Sequence, residues 1–173
     1  RYYTKSQKLL AEFDVPVFVT SGNHDLGGWN DTPPIKGTAR RDWWRFYGWK
    51  WLENTTSFYP YHTQNYHFKY GLLNFIGLEA YDNYDSFMCD IYGNKSFTND
   101  QLTYLNSTLN NIPANEKKIL FYHYDFSNQL NFSALEIDLA LWGHIHHDSV
   151  NVNSYATAAV CDEIRAYRII KVN

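Results

Sequence analysis

The chain has 173 residues, 45% hydrophobic and 18% aromatic, which supplies one sizeable core and is too short for two ordinary domains, so 1–173 is read as a single domain. A formal net charge of −3 lacks the broad basic field that coats a duplex, and nucleic acid is therefore not the expected partner. No apolar run approaches the roughly 18 residues of a membrane span, and the opening RYYTKSQK lacks the apolar centre of a signal peptide, so the chain reads as soluble.

In chain order, residues 4–13 (TKSQKLLAEF) set apolar side chains on one helical face. VPVFVT (15–20) then predicts a buried strand with Pro16 near its start. A helix feeding a parallel-type strand is expected to follow an earlier strand, which this plan places before Arg1. Residues 27–60 are turn-rich and then aromatic, and within them ARRDWWRFYG predicts a short helix stopped by Gly48. NYHFKYGLLNFIGLEAY (65–81) reads as a hairpin around Tyr70-Gly71 with a buried second arm.

TNDQLTYLNSTLNNIP (98–113) predicts a helix capped by Thr98 or Asn99, with Leu102, Leu105 and Leu109 on one face and Pro113 past its end. KKILFYHYDF (117–126) and DLALWGHIHHD (138–148) each predict a buried strand ending in histidine, separated by the short segment NFSALEI. SVNVN, YATAAV and AYRIIKVN read as short closing strands. Cys89 and Cys161 stand far apart in no metal-knuckle spacing and read as small buried residues. Asn-x-Ser/Thr triplets at Asn30, Asn54, Asn94, Asn106 and Asn131 would accept glycans in a secreted eukaryotic protein, although a chain this rich in asparagine also produces them by chance. Localisation is left unknown, with secretion open.

Three apolar runs thus end in histidine: VFVTSGNHD, ILFYHYD and LALWGHIHHD. In α/β sheets ligands collect beyond the carboxyl ends of strands, so the three ends are expected to converge. Imidazole, amide oxygen and carboxylate suit borderline divalent ions such as zinc, manganese or iron, and there are no paired thiolates of a structural zinc site. On an extended strand His144 and His146, two apart, would point to one side. Gly22 and Gly143 would let backbone approach an ion or phosphate closely. Singly, each feature has a plainer reading as a satisfied polar residue or an exposed turn; together, and in this order, they point to a metal site.

Through GNHD (22–25), the strand-end His123 and GHIH (143–146), the chain resembles the calcineurin-like metallophosphoesterase family, and SFYPY, NYHFKYGLLNFIGLEAY and QLTYLNSTL resemble the segments such enzymes place between those blocks. The resemblance implies an α/β fold, a four-layer α/β/β/α sandwich with two divalent ions (Mn, Fe or Zn) between its sheets. Asn23, His123 and His144 would bind one ion and His146 the other. His24 would assist the leaving group as general acid or charge stabiliser, with Asp25 holding its imidazole. The implied reaction is hydrolysis of a phosphomonoester or phosphodiester by an activated hydroxide, as in a phosphatase or phosphodiesterase. Its substrate would be a small phosphorylated molecule, nucleotide or phospholipid-derived.

The family's D-x-H and GD-x-x-D blocks, which normally supply an aspartate, a histidine and a bridging aspartate, are absent from the sequence. Asp14 precedes its strand, and Asp82 and Asp85 lack the accompanying glycine and histidine. The chain is accordingly expected to be a C-terminal part lacking its N-terminal strands, weak or inactive alone, with an upstream segment supplying the missing ligands. Tyr124 stands where relatives often carry a second histidine, and GHIH differs from the GHDH form of purple acid phosphatases. His147 and Asp148 extend the polar turn, either beside the ligands or in solvent. Lys36, Arg40 and Arg41 with the neighbouring aromatics form either a substrate wall or a core-packing helix with a basic edge. Two other functions stay open: a catalytically incomplete binding or scaffold module, and, within the family, a nuclease.

Overall fold

A computed structural model of the chain describes residues 2–22, 25, 55–58, 63–79, 99–125, 130–160 and 166–172. Their elements are α1 (Tyr2–Leu10), β1 (Thr55–Phe58), β2 (Thr63–Tyr70), β3 (Leu73–Leu78), α2 (Asn99–Asn110), β4 (Lys117–Phe121), β5 (Leu139–Trp142), β6 (Ser149–Asn151) and β7 (Ser154–Ala156). The strands form one mixed sheet in the order β1-β2-β3-β4-β5-β7-β6. Its centre, from β3 through β4 and β5 to β7, is parallel, and both flanks are antiparallel. The α/β class expected from the sequence holds.

The β2–β3 hairpin turns through Gly71 and Leu72, with Gly71 at φ 59°. That is the left-handed conformation a type II′ turn needs at its first central residue, and glycine adopts it without a Cβ clash. Parallel β3 and β4 need a crossover, and α2 provides it, with Leu105 and Leu109 buried as the periodicity predicts. These leucines and Ile112 pack with Ile76, Leu78, Leu120, Tyr122 and Ala140 in one cluster on one face of the sheet. Each fully buried side chain of this kind contributes about 1.5–3 kcal/mol, so this face carries much of the fold.

The opposite face is aromatic. Phe68 stacks on Phe75 with centroids 4.9 Å apart, and Tyr66 meets Phe121 edge-on at 5.4 Å. Tyr66 stands directly across from Gly77, where a Cβ would come within 2.7 Å of Tyr66 Cζ and 2.8 Å of Phe121 Cζ. The glycine is what admits both rings.

Two expected strands are not strands. VPVFVT enters no ladder among the described residues: Phe18 stacks on Phe68 at 3.6 Å, Val19 O accepts from the Tyr66 phenol, Thr20 Oγ1 donates to Leu78 O, and Pro16 has no N–H to offer. The described part of AYRIIKVN (166–172) likewise pairs with no strand; it is tied down by Arg168, which donates to Ala156 O (2.9 Å) and Thr157 Oγ1 (3.3 Å). The predicted helix at 39–48, Cys89, Cys161, the aromatic and basic residues 27–54, and the acceptors Asn30, Asn54 and Asn94 lie outside the described residues.

Candidate metal centre

Register decides which side chains meet. At the start of the strands, Asp138 accepts from Lys118 N (2.9 Å) and from Lys117 Nζ (2.7 Å), fixing the entry of β5 beside that of β4. Burial works against ionising this carboxyl, but the Lys117 ammonium and the Lys118 N–H outweigh it and hold Asp138 below the usual carboxylate range. From there Phe121 pairs with Leu141, Tyr122 N donates to Leu141 O (3.0 Å) and Gly143 N donates to His123 O (3.0 Å). Both strands therefore run out together.

His123 and His144 each stand two residues past the end of their strand, half-buried, with His123 Nε2 3.1 Å from His144 Nδ1. Their rings are perpendicular, centroids 5.1 Å apart. Two of the predicted ligands thus meet, at the carboxyl edge of a parallel sheet as the sequence led one to expect.

The route is not the expected one. β5 ends at Trp142, so GHIH is not extended and the same-side argument for His144 and His146 fails. His144 has φ 71° and is spanned by a hydrogen bond from Ile145 N to Gly143 O (2.9 Å), which makes it the centre of a γ-turn of the rare, strained hand. His146 has φ 60° and is exposed, and the His147 Nδ1–H donates around it to Ile145 O at 2.8 Å. Two non-glycine residues of left-handed φ, separated by one residue, cost on the order of 1–3 kcal/mol each. A plain surface turn would have used glycine or asparagine.

The glycines are also reassigned. A Cβ on Gly22 would lie 2.9 Å from His123 Cε1 and Nδ1 and 3.0 Å from Nε2, so the space there is filled by the His123 ring itself. Gly143 has no such constraint, since a Cβ would meet nothing nearer than His123 O at 4.0 Å. Gly22 is delivered to this place by Val19 and Thr20: Tyr66 donates its phenol to Val19 O (2.7 Å), and Thr20 Oγ1 donates to Leu78 O (3.0 Å) at the end of β3. Burial pushes the Tyr66 phenol far up, so it remains a donor. Gly22, the first residue of the GNHD block, is thereby anchored at the carboxyl ends of β3 and β4.

Asn23 and His24 lie outside the described residues. Asp25 bonds back to Gly22: its Oδ2 accepts from Gly22 N (2.8 Å) and its N–H donates to Gly22 O (3.1 Å). Asp148 points to a structural task, accepting from Ala158 N (3.0 Å) and pairing with Arg168 (3.3 Å), while His147 is exposed.

Two nearby groups were not singled out as site residues by the sequence. Tyr124 packs edge-on against His144, centroids 4.7 Å apart at 63°. Ser21 Oγ is buried with no hydrogen-bond partner among the described residues, a polar atom that ordinarily finds water or a ligand. Nothing in the sequence marks Ser21; Tyr124 is marked only by standing where relatives often carry histidine.

The histidine pair fits a metal ion. Two nitrogen donors each about 2.0–2.1 Å from one ion stand roughly 3 Å apart, the separation found here, and imidazoles suit zinc, iron and manganese. Among the described residues no group of three or more His, Cys, Asp or Glu stands together for an ion, so the pair would supply only part of a ligand set. Among the described residues no helix is long and apolar enough to cross a membrane.

Residues 1–148 match the model of the calcineurin-like phosphoesterases, a match ending at the last residue of GHIHHD. No curated protein matches the chain. The family comprises phosphoester hydrolases, typically metal-dependent and acting on small phosphorylated substrates. With the match extending over most of its length, the chain belongs to the calcineurin-like phosphoesterase family.

Proposed function

We propose that the chain hydrolyses a small phosphomonoester or phosphodiester at the carboxyl edge of its parallel strands. The observation that carries this reading is the 3.1 Å approach of His123 and His144 from adjacent strand ends. Asn23, His123 and His144 would hold one divalent ion and His146 a second; Gly22, in contact with His123, directly precedes Asn23 in the chain. Bound ions of this kind neutralise charge building on phosphoryl oxygens and make water a nucleophile near neutral pH. The protein's own part would be to keep the His123 and His144 imidazoles together and to bring His24 to the leaving group as acid or cationic stabiliser, with Asp25 holding its imidazole. In the four-layer sandwich implied by the resemblance, the sheet described would be one of the two flanking this centre.

The donors named on this chain are neutral imidazoles and one amide. Such a set favours zinc, manganese or iron over magnesium. Titration of the full chain with Zn²⁺ and Mn²⁺, read by calorimetry alongside release of nitrophenol from nitrophenyl phosphate mono- and diesters, tests the proposal. Binding that His123→Ala and His144→Ala each weaken at least tenfold, with metal-dependent hydrolysis, supports it. Metal binding that neither His123→Ala nor His144→Ala weakens refutes it, whereas a wild-type chain that binds neither ion and hydrolyses neither ester is the outcome of an incomplete ligand set or of a binding or scaffold module.

A further inference from the structure

We infer that Tyr124 is a positioning residue for the histidine pair, fixing the plane of the His144 ring so that its Nδ1 faces His123 Nε2; this rests on the metal reading above. The γ-turn at His144 sets the direction of its Cα–Cβ bond but leaves two side-chain torsions to be determined. What determines them must touch the ring. His123 does so at a centroid distance of 5.1 Å and 90°, and Tyr124 at 4.7 Å and 63°. His123 is itself a proposed ligand, and of these two ring contacts Tyr124 is the one that does not compete for the ion.

Three features suit Tyr124 to this task. It is half-buried and packs against the main apolar cluster, so its own ring is backed by the core rather than by solvent. Its position directly after His123 lets one strand end supply both a ligand and the brace for the ligand of its neighbour. An aromatic ring presented edge-on to an imidazole gives a directional contact, since the positive rim of one ring prefers the face of the other. Ligand-orienting neighbours of this kind usually act by hydrogen bonding to the second imidazole nitrogen; here packing takes that part.

The test titrates Co²⁺ into the full chain and into Tyr124→Phe and Tyr124→Leu, reading affinity by calorimetry and ligand geometry by the visible absorption band, with thermal unfolding of each metal-free protein as control. Tyr124→Phe keeps the ring and is expected to bind within about twofold of wild type, whereas Tyr124→Leu is expected to lose roughly tenfold or more and to shift the band while its metal-free Tm stays near wild type. If Tyr124→Leu does not fold, Tyr124→Met fills the same space with a flexible chain and stands in for it. Wild-type affinity and an unshifted band in the ringless variant overturn the inference, as does a loss in Tyr124→Phe equal to that in Tyr124→Leu, which would transfer the role to the hydroxyl. Absence of any Co²⁺ visible band from the wild-type complex defeats the metal reading itself, and is recognisable because all variants are then equally silent.

Discussion

Adding a single methyl group at Gly22 tests whether a missing side chain sets the geometry of the site. In Gly22→Ala the new Cβ would lie 2.9–3.0 Å from three atoms of the His123 ring, against an ordinary carbon separation of about 3.5–4.0 Å. The ring or the backbone must therefore yield by roughly 0.5–1 Å. Gly22 is not among the glycines with left-handed φ, so alanine is sterically admissible to the backbone and the effect is one of contact alone. The backbone is held by the Val19 and Thr20 hydrogen bonds, which leaves the ring as the softer partner. A swing of that size breaks the 3.1 Å approach to His144.

Overpacking of this kind typically costs about 1–3 kcal/mol of stability, but misplacing a reacting group by about 1 Å costs on the order of a hundredfold in rate. The expected result is a modest fall in Tm, a loss of at least about tenfold in Zn²⁺ or Mn²⁺ affinity and a much larger loss of nitrophenyl ester hydrolysis. Calorimetry, thermal unfolding and turnover on the same preparation separate the three. Metal affinity and turnover within twofold of wild type, with Tm lowered, would refute the reasoning by showing that Gly22 serves packing only.

Two further outcomes follow from the edges of the sheet. Because the folded pKa of Asp138 lies below its unfolded value, its contribution is present above about pH 4 and is lost as pH falls through the depressed value; Asp138→Asn should flatten the acid limb of a Tm–pH profile while costing no more than about 1 kcal/mol at neutral pH, since Lys117 is half exposed. An unchanged acid limb would remove Asp138 from the account. Arg168→Lys should release residues 166–172, seen as faster amide exchange there and a loss of about 1–3 kcal/mol, because one ammonium cannot reproduce a fork that reaches Ala156 O, Thr157 Oγ1 and Asp148 together; wild-type protection in the variant would count against this latch.

What the sequence made legible was whatever depends on runs and periods. The apolar runs at 117–121 and 139–142 and the leucine spacing of α2 report burial directly, and they carried His123 and His144 to neighbouring strand ends. VPVFVT failed because a β-rich run states a preference and not a partner, and among the described residues its Phe18 and Thr20 found side-chain and carbonyl contacts instead of a ladder. GHIH misled for a similar reason: continuing the strand through Gly143 was the simplest extrapolation, and no residue type other than that glycine announces left-handed φ at His144 and His146. Gly22 was read as letting backbone approach an ion or phosphate, but composition cannot say what fills the room, and the occupant is a ring 101 residues later in the chain. Tyr124 shows the same limit, since edge-on contact between rings of adjacent strands is a property of register alone.

The parallel pairing of β4 with β5 also dictates when the centre can come into being. His144 reaches His123 only after the intervening chain has crossed back over the sheet, a non-local closure whose entropy must be met before its contacts reward it. The local β2–β3 hairpin has no such delay. An ion held by both histidines, as proposed, would favour chains in which β4 and β5 have paired, by about 2.7 kcal/mol at a free concentration a hundred times its Kd. Retention of such an ion would then report on the pairing of β5 with β4, the register that brings the two histidines together.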